Sequence, residues 1–131
     1  MPSTPLPDAP EMGGAFASFA DLDATHLDAI MAIECASYDF PWSRGNFADS
    51  MAEGYRCQGL FLRRQTDIQP VLAGYSIVMR GVDEAHLLNI AVAPEFRGQK
   101  IAVLLLQQLC AWARLQGLDY VWLEVRLSNL R

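Results

Sequence analysis

Apolar residues recur along this chain with two different periods, and the switches between them mark its elements. Phe16 to Ala20 reads as a short strand. Leu27, Ile30, Met31 and Glu34 then recur at helical spacing behind a polar start at Asp23 and Thr25. Phe40-Pro41-Trp42-Ser43 interrupts this pattern, and Ser43 is placed to cap a second, short helix through Phe47 and Met51. From Tyr55 the texture becomes apolar stretches separated by polar turns: Cys57–Arg63, Val71–Met79 and Ala85–Val92, an antiparallel meander of three strands. A polar loop from Pro94 to Gln99 leads into a long helical pattern with Ile101, Leu104, Leu105, Leu109, Trp112 and Ala113 on one face. Gly117 ends that helix, and Tyr120–Val125 has the aromatic and β-branched content of a buried strand. The order is β-α-α-β-β-β-α-β, an α/β (α+β) class without internal repeat. One domain over residues 15–131 is expected, behind a flexible extension over residues 1–14 where Pro2, Pro5, Pro7, Pro10 and Gly13-Gly14 cluster.

Composition narrows the setting. With 131 residues, 52% hydrophobic and 19% charged, the chain is long and apolar enough to bury one core, which excludes disordered and fibrous classes. The longest unbroken apolar run, Ile101–Leu106, is six residues, against about 20 for a membrane span. Cys35, Cys57 and Cys110 fit neither a zinc cluster nor an even-numbered disulfide framework, so a reducing cytoplasm is the expected location and Cys110 is expected to pack in the core. The net charge of −5 hides an asymmetry: residues 1–54 carry nine acids and one base, residues 55–131 six acids and nine bases. The basic half could hold phosphates and the acidic half could steer a cationic peptide. No basic run is dense enough for nucleic acid.

The informative segment is Leu88-Asn89-Ile90-Ala91-Val92 with the Pro94–Gln99 loop and the long helix behind it. A strand feeding a helix N-terminus through a short loop leaves backbone N–H groups without helical partners, and the helix dipole favours an anion there. On architecture alone, a plain connection without a ligand is equally compatible with that pattern.

At these residues the sequence resembles a known family. Asn89-Ile90-Ala91-Val92, the Pro94 loop and Arg97-x-x-Lys100-x-Ala102 are similar to the acetyl-CoA-binding segment of the GNAT superfamily of N-acetyltransferases, whose usual pattern is Arg/Gln-x-x-Gly-x-Gly/Ala. Phe40-Pro41-Trp42-Ser43, Asp83-Glu84-Ala85 and Trp122-Leu123-Glu124-Val125-Arg126-x-Ser128-Asn129 resemble its RimI type, the ribosomal-protein-alanine N-acetyltransferases. The resemblance implies a mixed, mostly antiparallel central sheet flanked by helices, with acetyl-CoA as cosubstrate and no metal. It implies transfer of the acetyl group to a protein N-terminus, the alanine of a small-subunit ribosomal protein. Acetyl-CoA would lie along backbone groups of Ile90, Ala91 and Val92, with Gly98, Gln99, Lys100, Ile101, Ala102 and Val103 around the pyrophosphate and Asn129 near by. Tyr38, Phe40 and Trp42 match the segment lining the peptide entrance; alternatively, Tyr38 and Trp42 form a small aromatic cluster packing the second helix.

Two departures from the family pattern stand out. Lys100 occupies the position of the pattern's first glycine, so it must either adopt that backbone at a cost in strain or turn outward, where its ammonium could pair with a phosphate. The chain also ends at Arg131, where family members continue into a helix bearing a tyrosine general acid and two closing strands. The expectation is a C-terminally incomplete domain, inactive or nearly so in this form and prone to strand-exchanged dimers. The alternative function is a non-catalytic CoA-binding remnant of the fold.

The chemistry asks for a base. An ammonium has no lone pair with which to attack a thioester, so the amine must lose its proton first. Glu124 corresponds to the family's general base; without the resemblance it would read as a surface glutamate. A terminal amine, about 2.5 pKa units below a lysine, is easier to deprotonate by roughly 3.4 kcal/mol. Arg126 either orients that carboxylate or is solvated, and His26 and His86 read as structural.

Overall fold

The computed structural model describes residues 4–5, 11–12 and 15–123. Its elements, in chain order, are β1 (Thr4–Pro5), β2 (Glu11–Met12), β3 (Ala15–Asp21), α1 (Leu27–Ser37), α2 (Arg44–Ala52), β4 (Arg56–Arg63), β5 (Val71–Arg80), β6 (Glu84–Val92), α3 (Ile101–Leu115) and β7 (Tyr120–Leu123). From β3 onward this is the expected β-α-α-β-β-β-α-β order. Two stretches of the N-terminal segment add to it: β1 pairs with Phe19 and Ser18, and β2 with Phe16 and Ala15, all on the outer edge of β3.

The main sheet runs β3-β4-β5-β6-β7. Every neighbouring pair is antiparallel except the last, where β7 lies parallel to β6 with Glu84 opposite Tyr120 and Leu87 opposite Leu123. A parallel neighbour needs a crossover, and α3 supplies it. Local chemistry fixes the helix starts: Asp23 caps the turn before α1, accepting from the Thr25 N–H at 2.9 Å, and Ser43 Oγ accepts from the Asn46 N–H at 3.1 Å at the head of α2.

The two faces of the sheet carry different helices. Tyr75 and Ile77 of β5 face α1 and α2, whereas a Cβ at Gly74 would lie 3.0 Å from Ile101 and 3.3 Å from Leu105 of α3. Ile101, Leu105, Leu109 and Ala113 form the buried stripe of α3, with Leu104 and Trp112 half-buried beside it. Burying such a stripe contributes roughly 1.5–3 kcal/mol per large side chain.

Two bulges bend the sheet. Ala73 is the extra residue of β5 opposite Leu60/Phe61, and Leu88 is the extra residue of β6 opposite Ile77/Val78. Directly opposed residues share a face, so Leu87 goes with Val78 toward α3 while Asn89, opposite Ile77, goes toward α1. Strict alternation from Leu87 would have put Asn89 on the α3 face.

Two expectations need correction. Cys110 is exposed on α3, because position 110 falls on the solvent side of the stripe that buries Leu105 and Leu109. The described part of the last strand is not buried: Tyr120, Trp122 and Leu123 are 58%, 53% and 54% exposed, since among the described residues β7 pairs only with β6 and turns only Val121 inward.

Candidate functional site

The site begins at the end of β6. Antiparallel pairing makes backbone groups alternate between neighbours, and the Ala93 N–H donates to the Ala73 C=O at 2.7 Å. Counting back by two, the backbone groups of Ala91 are spent on Tyr75 of β5, whereas those of Ile90 and Val92 turn toward the β7 side. Of the expected trio, Ala91 therefore contributes a buried methyl and the other two contribute backbone edge. That edge is held by a residue just past α1 and by one in the loop before α3: Tyr38 OH donates to the Ile90 C=O at 2.5 Å, and the Arg97 guanidinium donates to the Val92 C=O at 3.3 Å and to Ser37 Oγ of α1 at 3.1 Å.

The loop that follows delivers the chain to α3 through two left-handed residues, Gly98 at φ +78° and Lys100 at φ +63°. Lys100 thus keeps the backbone a glycine would adopt, at a cost in strain. A Cβ at Gly98 would meet nothing within 4 Å, so the loop faces open space. The first helical bond of α3 runs from the Leu104 N–H to the Lys100 C=O at 3.1 Å, which leaves the N–H groups of Ile101, Ala102 and Val103 ahead of it. Lys100 at the head of α3 makes no side-chain cap, in contrast to Ser43 at the head of α2. The Ile101 side chain is buried, whereas Lys100 and Val103 are exposed. The outward backbone of Ile90 and Val92 followed by a helix N-terminus that Lys100 does not cap forms a cradle for an extended molecule ending in phosphates.

A second wall stands beside it. Trp42 lies half-buried against Phe47, with ring centroids 5.2 Å apart, and Phe47 meets Tyr75 edge-on at 5.7 Å, while Phe40 is 90% exposed. Trp42 therefore does pack α2, and Tyr38 serves β6. Beneath this wall lies Glu34, fully buried, whose Oε1 accepts from Tyr75 OH at 2.6 Å and from Asn89 Nδ2 at 2.9 Å, and whose Oε2 accepts from the Trp42 N–H at 2.8 Å. Sequence reasoning missed Glu34 as a site residue, and it placed Tyr38 with the peptide entrance without its bond to β6. An acid on the apolar stripe of α1 was the available signal, because a buried carboxyl requires donors.

Glu124 and Asn129 lie outside the described residues, as does Arg126. His86 Nε2 is 3.0 Å from Glu84 Oε1, and Trp122 Nε1 donates to Glu84 Oε2 at 2.8 Å. These donors hold the Glu84 carboxyl below its ordinary range, His86 first and Trp122 second. His26 caps the Asp23 N–H through Nδ1 at 3.0 Å. Burial pushes the Cys57 thiol up to about 11, so it stays protonated at neutral pH and is no nucleophile. Among the described residues no cluster of His, Cys, Asp and Glu could hold a metal ion, and no helix is long and apolar enough to cross a membrane.

Residues 27–131 match the family model described as "Acetyltransferase (GNAT) family". The chain is 35% identical over 112 residues, 86% of its length and 72% of the relative's, to the [ribosomal protein bS18]-alanine N-acetyltransferase of Escherichia coli. It is 31% identical over 110 residues to the protein of the same name from Haemophilus influenzae, covering 84% of this chain and 71% of that one. The crystal structure of the Escherichia coli ribosomal-protein-S18-alanine N-acetyltransferase superposes with a TM-score of 0.74 at 33% identity, over 88% of this chain and 70% of that one. A Thermoplasma acidophilum PaiA N-acetyltransferase in complex with coenzyme A shares the fold, with a TM-score of 0.70 at 15% identity over 87% of this chain and 82% of that one. The cradle at the end of β6, the mostly antiparallel sheet with its α3 crossover and these matches converge on one assignment: the chain belongs to the GNAT acetyltransferase family.

Proposed function

We propose that this chain transfers the acetyl group of acetyl-CoA to the α-amino group of a protein N-terminus, the alanine of a ribosomal protein. Residues 15–131 act as one acetyltransferase domain in the cytoplasm. The observation that carries the reading is the continuous track from the outward backbone of Ile90 and Val92 to the N-terminus of α3, where Lys100 makes no side-chain cap. An extended thioester with a pyrophosphate at its far end matches that track in shape and charge. The choice of an alanine terminus is supported by the names of the relatives from Escherichia coli and Haemophilus influenzae.

In this reading, Ile90 and Val92 hold the pantetheine arm, and Gly98, Gln99, Lys100 and the first turn of α3 hold the phosphates. Phe40 and Trp42 form the side from which the peptide enters. Glu124, which follows Leu123 of β7 in the chain, takes the proton from the ammonium directly or through a water, so that the neutral amine attacks the thioester carbonyl. The tetrahedral adduct then breaks its C–S bond and expels the CoA thiolate, and the proton lost by the nitrogen as the amide forms ends on that thiolate to give CoA-SH.

Calorimetric titration with acetyl-CoA is expected to give binding in the micromolar range, and mass spectrometry one added acetyl group on a peptide beginning with alanine. Glu124→Gln should lower turnover on the order of 10²–10⁴-fold while leaving acetyl-CoA binding intact. Absence of heat and of thermal shift at millimolar acetyl-CoA would overturn the reading.

A further inference from the structure

We infer that Glu34 is a positioning residue for the peptide side of the site. The inference rests on the reading above. Four contacts close a circuit around it: Glu34 Oε2 takes the Trp42 N–H, the Trp42 ring lies on Phe47, Phe47 meets Tyr75 edge-on, and Tyr75 OH returns to Glu34 Oε1. Asn89 joins the same oxygen from β6, one residue before Ile90. A fully buried carboxyl thus links the turn carrying Phe40 and Trp42 to the strand whose next residue holds the cosubstrate.

The physics favours a fixed distance between the two. Trp42 sits in the turn between Ser37, the last residue of α1, and Arg44, the first of α2; its N–H belongs to neither helix, and the Glu34 carboxyl satisfies it. Hydrogen bonds inside a buried network strengthen one another, and the low-dielectric surroundings make each costly to break. The wall at Trp42 is therefore set by the same group that anchors Asn89, so the peptide entrance and the acetyl-CoA strand keep one spacing. Glu34 touches neither substrate in this scheme. Its effect is on how well the terminal amine is held.

The test compares the wild type with Glu34→Met, which keeps side-chain length and removes both acceptor oxygens, and with Tyr75→Phe, which removes one donor and leaves the Trp42 bond. Glu34→Met is expected to raise KM for an alanine-terminal peptide about tenfold, the size of one lost buried hydrogen bond, with KM for acetyl-CoA and kcat changed less than about threefold. Tyr75→Phe should lower Tm while leaving the peptide KM within about twofold. Amide hydrogen exchange followed by NMR gives a readout apart from turnover: the Trp42 N–H should be protected in the wild type and exchange about tenfold faster in Glu34→Met. A peptide KM unmoved by Glu34→Met, or moved as far by Tyr75→Phe, overturns the inference. So does a wild-type Trp42 amide exchanging as fast as that of exposed Asp39, which needs no variant to fold. A wild type that binds acetyl-CoA and acetylates no terminal amine overturns the functional reading itself and takes the inference with it.

Discussion

Lys100 is the one non-glycine residue with positive φ among the described residues, and it sits where the backbone turns into α3. Its Cβ crowds the following carbonyl in that conformation, a cost of roughly 1–2 kcal/mol that glycine would not bear. Glycine is also freer when unfolded, which takes back part of the gain. Lys100→Gly is therefore expected to raise stability by about 1 kcal/mol, seen as a higher urea midpoint with an unchanged slope. An unchanged or lower midpoint would mean that the lysine side chain repays its strain. Tyr38 and Arg97 show the same economy at single residues. Each uses a polar tip to hold a carbonyl of β6, at Ile90 and Val92 respectively, so the strand end does not rely on β5 alone.

At the scale of elements, the contact between β5, β6 and α3 depends on Gly74. A Cβ there would lie 2.8 Å from the Ala91 C=O and 3.0 Å from Ile101, and the first of these is backbone that cannot swing away. Gly74→Ala should displace the start of α3 from β6, costing about 1–3 kcal/mol as an overpacked core site does. Because Val92 lies opposite Gly74, the same change should weaken acetyl-CoA binding beyond what the stability loss explains. Calorimetry on folded Gly74→Ala checks this, and affinity equal to wild type would show that the cradle tolerates the shift. The helices α1 and α2 are joined to the sheet in another way, through Glu34 and Phe47, which is why a polar network rather than a glycine sets their spacing.

For the whole molecule, charge is segregated along the chain, with nine of 15 acids in residues 1–54, the part that includes α1, α2 and the Phe40–Ser43 turn. Such a surface raises the encounter rate of a cationic peptide and is screened by salt. Raising ionic strength from about 0.05 to 0.5 M should lower kcat/KM several-fold for a lysine- and arginine-rich alanine-terminal peptide and far less for a neutral one. Equal salt responses would assign the asymmetry to solubility. Much of this architecture was legible in the sequence. Period-2 and period-3.6 patterns are local, so the order of strands and helices, the Ser43 cap, the stripe of α3 and the strand–loop–helix segment from Leu88 to Ala102 follow from neighbouring residues alone. The bonds of Glu34 and Tyr38 to β6 and the different roles of Ile90, Ala91 and Val92 were not legible. Their partners lie 52 residues away for Tyr38 and Ile90 and 55 for Glu34 and Asn89. Asn89 reaches Glu34 only because Leu88 is inserted as a bulge that turns the strand, and a register shift is decided by cross-strand pairing, which no local pattern encodes. Composition and periodicity thus determined which elements form, whereas tertiary pairing alone decided which backbone edge of β6 is left outside the pairing with β5 and which buried acid holds the Trp42 turn beside it.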